Sequence, residues 1–147
     1  MDLGSRTCSC LLLSPRMQEM STPEERMRAL RWGWELLRDI QQDAAVPVES
    51  RDSARALALR YPAPVMLQAL LASGARHLPQ DVGAAIDDAR TLFEELQVRG
   101  KGATDTLRFV LYTLRHFPLY DAVARVNDCL GGLQDWLQPE DLTTSAK

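Results

Sequence analysis

The chain has 147 residues, 46% of them hydrophobic and 25% charged, the ordinary balance of one soluble domain with a core of its own. Its formal net charge of -3 conceals a division: residues 22–76 hold eight arginines against seven acids, and residues 77–147 hold seven bases against eleven acids. Neither half has the positive excess of phosphate-dominated nucleic-acid binding, and no apolar run reaches the roughly 20 residues that a bilayer-spanning helix needs.

Residues 1–20 show no periodicity and contain Gly4, Ser5, Ser9, Ser14 and Pro15, so they read as a disordered leader. Their apolar stretch is too short and too poorly flanked for a secretory signal. The three cysteines, Cys8, Cys10 and Cys129, form no even framework, which fits a reducing, cytoplasmic location. Structure starts at "STPEERMRAL". There Thr22 is placed to cap a helix, Pro23 suits its first position and Glu25 completes a capping box.

Met27, Leu30, Trp34, Leu37 and Ile40 then recur at helical spacing as the inner stripe of a first helix. A second helix follows in "VESRDSARALALRY", with Ala54, Leu57, Ala58 and Tyr61 inward, and Pro62 and Pro64 turn the chain. The third is short, with Leu67, Leu70 and Leu71 inward and Gly74 at its end. Val82, Ile86, Ala89, Phe93 and Leu96 mark a fourth helix. A fifth, capped by Thr104 or Asp105, turns Leu107, Val110, Leu111, Leu114 and Phe117 inward and closes at Pro118. The sixth carries Leu119, Val123, Val126 and Leu130 and stops at Gly131 and Gly132. A last turn tucks Trp136 and Leu137 back onto the body, and residues 139–147 read as a flexible tail. No segment alternates with period two, so no sheet is expected.

"LALRYPAPVMLQALL" and "LYTLRHFPLYDAVARV" read as one phrase written twice. Aligning Pro62 with Pro118 places Tyr61 on Phe117, Arg60 on His116, Ala54 on Val110, Leu67 on Val123 and Leu70 on Val126; upstream, "RWGWELL" matches "TLFEELQ" after a small change of loop length. The expectation is an all-α chain of about six helices. They form one single domain over residues 21–138, built of two similar three-helix halves, 21–76 and 77–138.

Catalytic chemistry finds little support. No phosphate-cradling glycine loop or G-x-S-x-G elbow occurs, and Cys8 with Cys10 lacks the second pair that would close a tetrahedral metal site. Cys129 lies beside an inner stripe, where a small buried thiol is the ordinary finding, and His116 sits at a helix end where it favours the dipole. The adjacent carboxylates Asp87 and Asp88, and Glu94 and Glu95, point about 100° apart on a helix and do not converge as a dyad. Asp87 and Glu94, seven apart, present an acidic ridge suited to an interaction. Trp32 falls to one side of the first helix's inner stripe with Arg28 and Arg31 beside it. That is either a widened core or a partner surface, since aromatics and arginine dominate interface energetics.

"MSTPEERMRALRWGWELLRDI" with "VPVESRDSARALALRYP" resembles, over about residues 20–64, a family of small uncharacterised bacterial proteins that open on a Pro-Glu-Glu-Arg-like start and end their second helix on an aromatic-proline pair. Where that family carries a histidine before the aromatic, this chain has Arg60; "RHFP" in the second unit is closer. The resemblance implies helices, a bacterial source and Met20 as the structural start, and it confers no catalytic residue. The expectation that follows is a non-enzymatic regulator, without cofactor or metal, that binds a protein partner or a second copy of itself. Its contact residues are expected among Arg28, Arg31, Trp32, Arg60, Arg115 and His116. The alternative is a helical DNA-binding regulator using the arginine-rich first two helices.

Overall fold

In a computed structural model residues 21–140 are described, and every regular element among them is a helix. In chain order these are α1 (Pro23–Gln42), α2 (Val48–Ala58), α3 (Pro64–Ala72), α4 (Gln80–Arg99), α5 (Thr104–His116), α6 (Ala122–Asn127) and α7 (Leu133–Trp136). Six match the expected helices, and the seventh is the single turn that buries Trp136 and Leu137. Expectations for residues 1–20 and 141–147 lie outside the described residues.

Helix α1 begins as its sequence dictates. The Thr22 hydroxyl accepts the Glu25 N–H at 3.0 Å and the Glu25 carboxylate accepts the Thr22 N–H at 2.9 Å, satisfying two donors that a helix start leaves unpaired. Its buried face is Met27, Leu30, Gly33, Leu36, Leu37 and Ile40. Trp34, expected on that stripe, is only half buried and is covered by the Arg38 guanidinium 5.1 Å from its ring; Leu36 takes the inward place.

α1 packs against α2 and α5, and α4 packs against the same two helices, so the four longest helices close a ring with α1 and α4 at diagonal corners. Contacts at both ends and the middle show α5 antiparallel to α1. The Ala103 N–H donates to the Asp43 carboxylate at 2.8 Å, Trp32 meets Phe109 edge to face, and the Ser21 hydroxyl lies 2.7 Å from His116 Nδ1. Asp43 also accepts the Ala45 N–H at 2.9 Å, so one carboxylate ties the α1–α2 turn to the α4–α5 turn. Burial pushes that carboxyl up, and the Ala103 and Ala45 N–H groups outweigh it and hold Asp43 below the ordinary aspartate range.

The two aromatic-proline corners converge inside the ring. Tyr61 is buried and its hydroxyl donates to the Leu30 carbonyl at 2.7 Å; Phe117 is fully buried, edge-on to Phe93 at 5.5 Å. Both reach Gly33, where a Cβ would lie 2.5 Å from the Tyr61 hydroxyl and 2.8 Å from the Phe117 ring. On the outside, the polar face of α4 holds the second corner. Arg90 donates to the carbonyls of Phe117 and Pro118, Glu94 accepts the Tyr120 hydroxyl at 2.6 Å, and Asp87 accepts the Ala122 N–H at 3.2 Å. The acidic ridge of Asp87 and Glu94 therefore serves the chain's own turn. At the far end Gly132, at φ 62°, lets the Leu133 N–H reach the Arg76 carbonyl at 2.9 Å, an approach that any Cβ would block.

Helix α5 is rotated from its expected setting. Thr106, Val110 and Thr113 are buried, Leu107 and Leu114 flank them, and Leu111 is half exposed. Its cap position holds Ala103, whose side chain makes no cap bond, instead of Thr104 or Asp105, and the Asp43 carboxylate from another turn accepts the Ala103 N–H. Leu130, expected inward, is exposed because α6 ends at Asn127. The Thr113 hydroxyl is buried with no hydrogen-bond partner among the described residues.

Gly33→Ala is expected to lower stability by about 1–3 kcal/mol through overpacking against Tyr61 and Phe117, despite alanine's better helix propensity. Thr113→Val, nearly the same shape without the unpaired hydroxyl, is expected to raise stability by about 1 kcal/mol. Urea denaturation midpoints followed by circular dichroism measure both.

Candidate interaction surface

The six residues singled out from the sequence fall into three places. Arg28, Arg31 and Trp32 stand on α1, and Trp32 packs against Phe109 across the seam with α5, with ring centroids 6.2 Å apart at 63°. Arg115 lies on α5, its guanidinium 6.0 Å from the Tyr112 ring. His116, at the end of α5, sits against the start of α1 through Ser21, with the Glu25 carboxylate 3.9 Å from the same Nδ1. Arg60 is elsewhere, on the α2–α4 side, paired with Asp88 at 3.0 Å.

Each charge has a partner that shapes its role. Arg31 forms a two-pronged pair with Glu140, at 2.7 and 3.1 Å, and a third bond to Glu35 at 2.9 Å. The Glu140 side chain is almost fully covered, at 4% exposure, so this pair fastens the segment after α7 across α1. Parallel Arg–carboxylate bonding of this kind fixes direction as well as distance. Arg28 reaches Glu24 at 4.0 Å and Glu140 at 3.7 Å while remaining partly open to solvent. Trp32 is half buried and closes the seam against Phe109 outside the main core cluster, and that seam has an aromatic outer edge.

That edge was not legible from the apolar stripe. Leu111 is 51% and Tyr112 50% exposed, next to half-buried Phe109 and exposed Arg115. The spacing of Phe109, Tyr112 and Arg115 by three residues, level with Trp32 on the antiparallel neighbour, is the signal that would have found it. Leu111, Tyr112 and Arg115 together form an apolar, aromatic and basic strip.

Two other clusters are chemically quiet. Ser21, His116 and Glu25 bring together the residue types of a nucleophile, base and orienting acid. Both contacts fall on one ring nitrogen, however, so the carboxylate cannot orient the imidazole from its far side, and Ser21 is buried. Cys129 is half buried, its Sγ directed to the Arg125 carbonyl at 3.6 Å, and burial pushes its thiol up, away from the reactive thiolate. Among the described residues no group of three or more His, Cys, Asp and Glu is arranged to hold a metal ion, and no helix is long and apolar enough to cross a membrane. Cys8 and Cys10 lie outside them. Compared with protein-family models, curated proteins and solved structures, the chain matches none.

Glu25 gives this end of the molecule a pH signature. Its bond from the Thr22 N–H, with the nearby His116, holds the carboxyl below the ordinary glutamate value. A depressed folded pKa means stability that is present above the unfolded value and lost as pH falls through the folded one. Glu25→Gln is therefore expected to flatten part of the fall in denaturation midpoint between about pH 5 and pH 3, the carboxylate range. Midpoints of the two proteins measured across that window, which keep their separation at every pH if Glu25 plays no such part, decide it.

Proposed function

We propose that the chain is a small non-enzymatic bacterial regulator that acts by docking on a protein partner, and that its docking edge is the aromatic seam of α1 and α5. The observation that carries this reading is the half-exposed pair Leu111 and Tyr112 on α5, with Arg115 beside the Tyr112 ring and Phe109, one turn back, meeting Trp32 across the seam. Aromatic and arginine side chains held in place by packing lose little freedom on binding, which is why such residues dominate interface energies. Arg31, occupied by Glu35 and Glu140, serves this edge by positioning, and Arg60 and His116 have no part in it.

The proposal includes a chain built of two three-helix units, α1–α3 and α4–α6. Its support is the contact pattern: α1 stands to α2, α5 and α3 as α4 stands to α5, α2 and α6. Two helices of 20 residues occupy the equivalent positions α1 and α4. The DNA-binding alternative loses support because most of the arginines that motivated it are turned to carboxylates and carbonyls. Arg55 pairs with Asp52, Arg60 with Asp88 and Arg31 with Glu140, while Arg26 and Arg51 donate to the carbonyls of Trp136 and Val46.

The test uses the full chain and Tyr112→Ala as parallel baits in the native cell, followed by titration of any shared partner in purified form. Loss of one contact of this kind is expected to weaken the purified interaction at least about tenfold, the lower range for a hot-spot residue. A partner that binds both proteins equally places the docking surface elsewhere.

A further inference from the structure

The two pseudo-equivalent seams of the ring are filled differently. Carrying the correspondence of the two units along the helices, the seam of α2 with α4 is the counterpart of the seam of α5 with α1. Ser53 stands where α5 has Phe109, Ala56 where it has Tyr112, and Leu92 where α1 has Trp32. The aromatic side chains that close one seam are small or aliphatic in the other. The space they would fill is a groove of about 330 Å³ lined by Ser53, Ala56, Arg60, Asp88, Leu92 and Glu95, at the small end of the range for binding pockets and of a size to take a single ring.

Its charge completes the description. Asp88 and Glu95 border the groove on α4, and although Arg60 pairs with Asp88, Glu95 is exposed and has no ion-pair partner among the described residues. The occupant this shape and charge call for is an aromatic ring carried beside a basic group. Tyr112 with Arg115 on the outer edge of α5 is such a pair, its ring half exposed with the guanidinium 6.0 Å away. It cannot reach the groove of its own chain, because the two seams lie on opposite sides of the ring.

We infer that the groove between α2 and α4 receives the Tyr112 edge of a second copy of this chain, so that molecules associate head to tail. The inference rests on the docking edge and the two-unit organisation proposed above, and names the partner. One surface meets a different one on its neighbour, so the contact does not close as a two-fold dimer does. It continues into short chains or a ring. A contact built around one ring is well below a standard interface, and the association is correspondingly weak.

Sedimentation velocity of the full chain tests this between about 10 µM and about 1 mM, the range suited to an interface well under ~800 Å² per partner. The weight-average sedimentation coefficient is expected to rise progressively with concentration. Tyr112→Ala removes the ring, and Ser53→Phe, at an exposed position, rebuilds in the groove the ring that Phe109 supplies on α5. Each is expected to abolish the rise with helical content and melting temperature retained. Mixed, the two variants still own one intact edge and one intact groove between them, and are expected to form a 1:1 complex that grows no further. A wild-type chain that stays monomeric throughout overturns the inference and leaves the docking edge free for another partner. Association that Tyr112→Ala abolishes and Ser53→Phe does not keeps the edge and overturns the groove. Association that survives both variants overturns both.

Discussion

The absence of a side chain at Gly33 lets the rest of the molecule assemble. Tyr61 follows α2 and Phe117 follows α5, 56 residues apart in sequence, and both come to rest on the same turn of α1. A methyl group there would overlap the Tyr61 hydroxyl and the Phe117 ring together. If α1 were held off by that methyl, the Tyr61 hydroxyl would lose the Leu30 carbonyl in a buried place, where an unpaired donor costs about 1–3 kcal/mol. Phe117 would also shift from the edge of Phe93. One small residue thus couples the setting of α1, both corners and, through the corners, the directions in which α3 and α6 leave the ring.

Polar groups complete the arrangement from outside. Hydrophobic burial is non-directional and would tolerate sliding of α5 along α1, whereas three contacts spaced along the pair oppose it: Asp43 with Ala103, Trp32 with Phe109, and Ser21 with His116. On α4 the row Asp87, Arg90, Thr91 and Glu94 performs the same service for the second corner, binding backbone and the Tyr120 hydroxyl. Carboxylates in such surroundings are committed to N–H and O–H donors, so the acidic ridge is a clamp. Arg31 with Glu140 extends the principle to the end of the described chain, where a charged pair lays the segment after α7 over α1.

Features encoded within one turn of chain were legible in sequence. The capping box of Thr22 and Glu25, the end of α5 before Pro118, the buried ring before each proline and the whole inner stripe of α4 follow from local rules, and the structure has each of them, whereas α2 ends at Ala58, short of Pro62. Rotation of a helix about its axis was less legible. Helix α5 carries two stripes about 100° apart, one of leucines and one of threonines and valine, and residue hydrophobicity favours the leucines. The structure turns Thr106, Val110 and Thr113 inward. Short β-branched side chains let α5 approach its neighbours closely, and shape overrides polarity at the expense of an unpaired Thr113 hydroxyl. That rotation carries Leu111 and Tyr112 outward, so their exposure was not legible for the same reason. Glu140 was beyond sequence reasoning altogether, since its partner lies 109 residues away and no periodicity connects them.

The two seams on opposite sides of the ring are filled unequally. An aromatic pair at a helix seam contributes about 0.5–1.5 kcal/mol beyond its buried area, and Trp32 with Phe109 gains this on one side only. Ser53, Ala56 and Leu92 forgo it on the other, where a hydrophobic filler would have been sterically welcome. A domain stabilised by Gly33 and its two aromatics has no need of a second aromatic seam, and an unfilled one leaves α2 and α4 joined by their inner residues and by the Arg60–Asp88 pair at the surface. The α1–α5 side is thereby closed by an aromatic pair and presents the half-exposed Tyr112 ring. The α2–α4 side keeps a surface groove instead, lined by Ser53, Ala56 and Leu92 where the other seam has rings.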